Sequence, residues 1–343
     1  MTFNTLIWPA RARQRCASAL AVASMWLASA TTTGVQPAYA AVDSAPADPP
    51  GRLVDVDGHR MHLDCEGRPG PARGVSVVFD SGLGDSALVW SRVQPEIARH
   101  VRACSYDRAG YGDSDARLPP RTSATIVYEL HRLLEVADVQ PPYVLVGHSF
   151  GGWNIQLFAS TYPDDTAGLV LVDSSQVDQI ERYARETGTV IAPKGEFHLN
   201  TTPYVPPGLP PEAERRAYEL TYDPVTWRTA HNELVGFRTS ERQVADAPPL
   251  PKVPIVLVSR GEQIAGTDER GQRRENLWRT LQQEFVDGHP GTIHFVARNS
   301  GHYIQLQQAQ LVIESVCLAL KRAGEQIGHC AQLLRPPNLD ATD

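Results

Sequence analysis

A single stretch restricts this chain more than any other. Val144-Leu145-Val146-Gly147-His148-Ser149-Phe150-Gly151-Gly152 runs from a β-branched apolar segment through a glycine-fenced serine into a helical pattern. A serine between strand and helix, with only small residues two places to either side, marks a sharp strand-to-helix turn. Such a turn lifts the hydroxyl clear of the backbone. A hydroxyl is a poor nucleophile until a base takes its proton, so the chain should also supply an imidazole. The following helix aims its first N–H groups toward any negative charge that develops beside the serine.

The surrounding pattern alternates strands and helices. Arg52–Asp57 and Arg60–Asp64 flank a glycine turn and read as a hairpin. Short apolar runs follow at Val75–Phe79, Val101–Tyr106, Tyr143–Val146, Leu169–Val172, Ile255–Val258 and Ile293–Val296. Helical spacing occupies Thr122–Ala137, Gly152–Tyr162 and Gln305–Leu320. The expectation is an α/β fold whose eight-stranded, mostly parallel sheet carries helices on both faces and an antiparallel hairpin at one edge. The long interval between Asp173 and Ile255 holds proline-rich pieces and helical ones, Glu212–Thr221 and Val225–Phe237. It reads as a helical cap inserted between the sixth and seventh strands, where substrate access would be shaped.

The segment around Ser149 resembles the nucleophile elbow of the α/β-hydrolase superfamily, and the resemblance extends from about Arg52 to Leu320. It implies a serine hydrolase acting on a small-molecule acyl substrate, a carboxylic ester first with lactones, amides and peptides as alternatives on the same triad, and with no cofactor and no metal. It implies a base after the last strand, where Asn299-Ser300-Gly301-His302 supplies His302. His59, His62 and His294 lie on strands, and His148 belongs to the turn itself. The oxyanion loop implied after the third strand is Asp80-Ser81-Gly82-Leu83-Gly84-Asp85, with Asp80-Ser81 where His-Gly is common. By resemblance, the backbone N–H groups of Leu83 and Phe150 form the oxyanion hole. Asp107-Arg108-Ala109-Gly110-Tyr111-Gly112-Asp113-Ser114 resembles a family loop that braces it.

The triad acid departs from the commonest pattern. The usual turn reads Arg260-Gly261-Glu262-Gln263-Ile264, with isoleucine where the carboxylate is expected. Some members carry the acid one strand earlier, and here Asp173 ends that strand. Asp173 is the preferred acid, with Glu262 and then Asp268 as alternatives. An acid in either place would hold one imidazole tautomer and stabilise the imidazolium. Because the nucleophile position is serine, the aspartate-dependent epoxide hydrolases and haloalkane dehalogenases are disfavoured.

Arg11, Arg13 and Arg15, an alanine-rich apolar run over 17–30, and Ala38-Tyr39-Ala40 have the three parts of a secretory signal peptide. The apolar run falls short of the roughly 20 residues that span a bilayer, so no stable membrane span is expected after cleavage. Cleavage after Ala40 would leave a flexible lead-in (41–50), a core in two parts (51–175 and 251–322), the cap (176–250) and a tail (323–343). Secretion, or a periplasmic location, would then oxidise Cys65, Cys104, Cys317 and Cys330. Cys65–Cys104 and Cys317–Cys330 is the favoured pairing, since the first two would sit on neighbouring strands of such a fold; four buried thiols are the alternative.

Other classes fit less well. A 42% hydrophobic share is enough for a sizeable core, and a net charge of −7 speaks against a nucleic-acid partner. Val77–Ala87 also matches a dinucleotide fingerprint, with Asp107 about twenty residues on. That reading leaves the Ser149 turn and the turn before His302 without a role. A non-catalytic binding protein on the same fold has no need to keep both Ser149 and His302.

Overall fold

A computed structural model describes residues 51–191, 205–328 and Cys330. The signal segment 1–40, the lead-in 41–50 and most of the tail lie outside the described residues. Eight strands form one sheet: β1 (Arg52–Val56), β2 (His59–Glu66), β3 (Ser76–Asp80), β4 (Arg102–Tyr106), β5 (Tyr143–His148), β6 (Thr166–Val172), β7 (Ile255–Arg260) and β8 (Ile293–Ala297). Their spatial order is β1-β2-β4-β3-β5-β6-β7-β8. The β1/β2 and β2/β4 pairs are antiparallel and the rest are parallel. This is the sheet anticipated from the sequence.

Side chains in the central strands alternate between two cores, as a period of two requires. Val144, Val146, Val170, Val172, Val256 and Val258 face one way. There they pack against helices α1 (Gln94–Ala98) and α9 (Ala309–Arg322). Leu145, Leu169, Leu171 and Leu257 face the other way, onto α2 (Ser123–Val136) and α3 (Phe150–Thr161). With both faces covered, β3, β5, β6 and β7 are buried along their whole length. That is why these strands read as continuous apolar runs.

Between β6 and β7 the described chain carries α4 (Gln179–Thr187), α5 (Pro211–Leu220) and α6 (Pro224–Ala245), the last capped by Asp223 accepting from Val225 N–H. A further helix, α7 (Glu269–Gly288), follows β7. Its Leu277, Trp278, Leu281 and Phe285 face inward at helical spacing. The helix expected over Gln305–Leu320 is instead two, α8 (Ile304–Gln307) and α9, broken at Gln308. The break frees two side chains for other work: Gln307 Oε1 accepts from Gly301 N–H at 2.8 Å, and Gln308 Oε1 accepts from Asn299 N–H at 3.1 Å.

Cys65 and Cys104 stand opposite each other in the β2/β4 ladder and are disulfide-bonded, as are Cys317 and Cys330. Among the described residues no helix is long and apolar enough to cross a membrane.

Candidate active site

The C-terminal ends of β5, β6, β7 and β8 lie level, so the loops leaving them meet at one edge of the sheet. Ser149 caps α3 with φ 52° and ψ −118°. That conformation is costly for a residue with a side chain and holds only where its surroundings impose it. Two glycines make room for it. A Cβ on Gly147 would come within 2.5 Å of Gly151 O, and one on Gly151 within 2.4 Å of Asp80 O. Phe150 is the first residue of α3, and its N–H is one of the four that a helix leaves without an internal carbonyl.

Asp173, the residue after β6, also has positive φ, 41°. It is fully buried and its two oxygens meet four donors. Oδ1 accepts from Arg260 N–H at 3.1 Å and from Trp278 Nε1–H at 2.8 Å. Oδ2 accepts from the Arg260 guanidinium at 2.7 Å and lies 2.6 Å from His302 Nδ1. Burial works to raise the pKa of this carboxyl, but Arg260, then His302, pull it far below the usual carboxylate range. An ionised carboxylate only accepts, so Nδ1 carries the imidazole proton and Nε2 keeps its lone pair. Burial, then the neighbouring His148, push His302 below the ordinary 6.5 while Asp173 pulls upward; the net shift is down.

His302 stands beside the Ser149 turn. His148 Nε2 is 2.9 Å from His302 O, and the two imidazole rings lie 4.5 Å apart. Gln307 and Gln308 tie down the turn that precedes His302. Neither alternative acid reaches this histidine's Nδ1. Asp268 is the N-cap of α7 and accepts from Gly271 N–H at 2.8 Å, while Glu262 is exposed.

The loop after β3 is gripped by one side chain. All five N–H groups of buried Arg108 are engaged. One guanidinium nitrogen donates to Asp80 Oδ1 at 2.9 Å and Ser81 O at 2.7 Å, a second to Gly82 O at 2.7 Å and Glu233 Oε2 at 3.1 Å, and Nε to Glu233 Oε1 at 2.8 Å. Glu233 is a fully buried residue of α6 and also accepts from Tyr111 O–H at 2.8 Å. That same phenolic oxygen receives Gly84 N–H at 3.2 Å. The carbonyls of Ser81 and Gly82 are thus turned onto Arg108, immediately before Leu83.

Arg260, Trp278, Gln307, Gln308 and Glu233 were not singled out by motif. The inward spacing of α7 could have flagged Trp278; nothing local marks the others. Among the described residues one group, His62, Asp107 and Asp113, has ligand-type atoms close enough for a metal ion. Its carboxylates are already engaged: Asp107 accepts from Ala87 N–H at 2.8 Å and Asp113 from Arg216 at 2.7 Å.

The sequence model of the alpha/beta hydrolase family matches residues 77–315, more than two-thirds of the chain. The chain belongs to that family. An uncharacterised protein of Bacillus subtilis is 36% identical over 127 residues, covering 37% of this chain and 49% of its own length. The chain thus spans about half the length of that relative. An AB hydrolase superfamily protein of Gibberella zeae is 25% identical over 300 residues, 77% of this alpha/beta hydrolase and 92% of the relative. A crystal structure of a serine hydrolase involved in carbazole degradation has the same fold, with a TM-score of 0.56 and 15% identity over 79% of this chain and 98% of that one.

Proposed function

We propose that this alpha/beta hydrolase is a serine esterase working through Ser149, His302 and Asp173. The contact between His302 Nδ1 and Asp173 Oδ2, at the sheet edge where the Ser149 turn stands, carries the reading. Ser149 Oγ attacks the acyl carbonyl carbon as its proton passes to His302 Nε2. The carbonyl oxygen takes up negative charge and is held by the N–H groups of Leu83 and Phe150. Collapse breaks the bond to the alcohol oxygen, which leaves with the proton from His302. Water then attacks the acyl-enzyme, gives its proton to His302, and the carboxylic acid departs as Ser149 Oγ is reprotonated.

Asp173 keeps Nε2 free to accept and offsets the charge of the imidazolium. The helices between β6 and β7 act as a cap through which substrate enters, with Glu233 fastening it to the oxyanion loop. Two disulfides fit an oxidising compartment and support export by the N-terminal segment.

Hydrolysis of p-nitrophenyl butyrate by Ser149→Ala tests the reading. Turnover should fall on the order of 10³-fold or more while the fold is kept. Undiminished turnover by the variant would remove Ser149 from its role.

A further inference from the structure

The sheet edge described above adjoins a cavity of about 400 Å³. It lies between the loop after β3 and helices α5 and α6. Leu88, Val89, Leu209, Ala217, Leu220 and Trp227 give it a mainly apolar wall. Two further lining residues connect it to the chemistry: Leu83, whose N–H is assigned to the oxyanion hole, and Tyr303, next in the chain to His302. Its volume falls in the range that holds a small ligand and far exceeds an acetyl group.

The charge of the wall is one-sided. Among the described residues no arginine, lysine or histidine lines it, and Asp85 contributes a carboxyl group. Asp85 Oδ1 accepts from Tyr303 O–H at 3.1 Å, and its Oδ2 is 3.6 Å from His148 Nδ1. A negative group on an entering chain would leave water for an apolar wall with a carboxyl beside it, and no described lining residue offers a cation to meet it.

We propose that this cavity receives the acyl chain of the substrate and selects neutral, medium-length acyl groups over short or anionic ones. The proposal rests on the esterase reading and names its substrate class. Adjacency to Leu83 favours the acyl side over the alcohol side, because the oxyanion hole grips the carbonyl and the chain attached to it continues past that point.

The test is kcat/KM on p-nitrophenyl acetate, butyrate, octanoate and hemisuccinate, beside a matched series of acetates with lengthening alcohols. Each methylene that enters the cavity should raise kcat/KM about fourfold as far as octanoate, and the alcohol series should stay nearly flat. Hemisuccinate should fall at least about tenfold below butyrate, and Asp85→Asn should narrow that gap. Ala230→Trp, or the milder Ala217→Leu if the first folds poorly, should lower kcat/KM on octanoate far more than on acetate. A flat acyl series, a gain with alcohol length instead, or equal losses on all esters would overturn the assignment. If acetate hydrolysis depends on Ser149 and octanoate is still not preferred, the cavity assignment fails alone; if hydrolysis survives Ser149→Ala, the esterase reading fails first.

Discussion

His302 Nδ1 lies 2.6 Å from Asp173 Oδ2, and that one oxygen is shared with the guanidinium of Arg260 at 2.7 Å. The carboxylate therefore divides its field between a fixed cation and an imidazole that becomes cationic only during turnover. Glu275 counters part of the Arg260 charge from behind, at 3.1 Å from its Nε. Asp173 supports His302 while its own charge stays firmly in place.

Of the three acids weighed from the sequence, Asp173 is the one whose carboxylate lies against His302 Nδ1. Asp173→Asn is expected to lower kcat on the order of 10⁴-fold, because an amide in place of the carboxylate upsets the tautomer. Glu262→Gln and Asp268→Asn should stay within about a few-fold of the parent. Steady-state kinetics of the three variants, with circular dichroism to check folding, decides the assignment.

The acid limb of the pH profile follows from the downward shift of His302. The base must be neutral, and a lowered pKa keeps it neutral to lower pH. The midpoint of kcat/KM on the acid side should therefore fall below 6.5. Removing the nearby cation with Arg260→Met should move that midpoint upward, since Arg260 is one of the groups that push His302 down. Rates measured across pH 4.5–8 read both positions.

Glu233 joins α6 to the loop before Leu83 through Arg108. Glu233→Gln removes a charge facing a fully buried guanidinium and should lower stability by about 3 kcal/mol or more. The carbonyls of Ser81 and Gly82 should loosen with it, so kcat should fall more than KM rises. Glu129→Gln breaks another buried pair, with Arg121 (2.9 Å between Glu129 Oε2 and the guanidinium), whose carboxylate bonds to Arg117 and Arg121 and not to that loop. It should destabilise comparably and spare kcat. Urea unfolding and kinetics on both variants separate stability from positioning.

The Cys65–Cys104 bond closes a loop across a sequence separation of 39. Replacing both cysteines by alanine should reduce unfolding free energy by about 2–4 kcal/mol. Chemical denaturation of the pair variant beside the parent measures it.

Much of this was legible in the sequence. The parallel sheet could be read because its strands are buried on both faces, leaving unbroken apolar runs at Val144–Val146, Leu169–Val172 and Ile255–Val258. Ser149 and His302 could be singled out because glycines and turn residues surround them in the chain. What holds them could not. Arg260 and Trp278 act on Asp173 from 87 and 105 residues away, Glu275 acts on it only through Arg260, and no local pattern encodes such a meeting. The break at Gln308 was equally hidden, since Gln305–Leu320 has good helical spacing. The break lies in the backbone of Gln308, φ −130° and ψ 52°, while the side chains of Gln307 and Gln308 accept from the turn before His302.

In the proposed reaction Ser149 is a nucleophile activated by His302. Treatment with a fluorophosphonate, followed by peptide mass spectrometry, tests that directly. One equivalent of phosphonyl group should appear on Ser149, and His302→Ala should slow its attachment by orders of magnitude. Modification of a different residue, or a wild-type protein that stays unlabelled while it hydrolyses esters, would contradict the account.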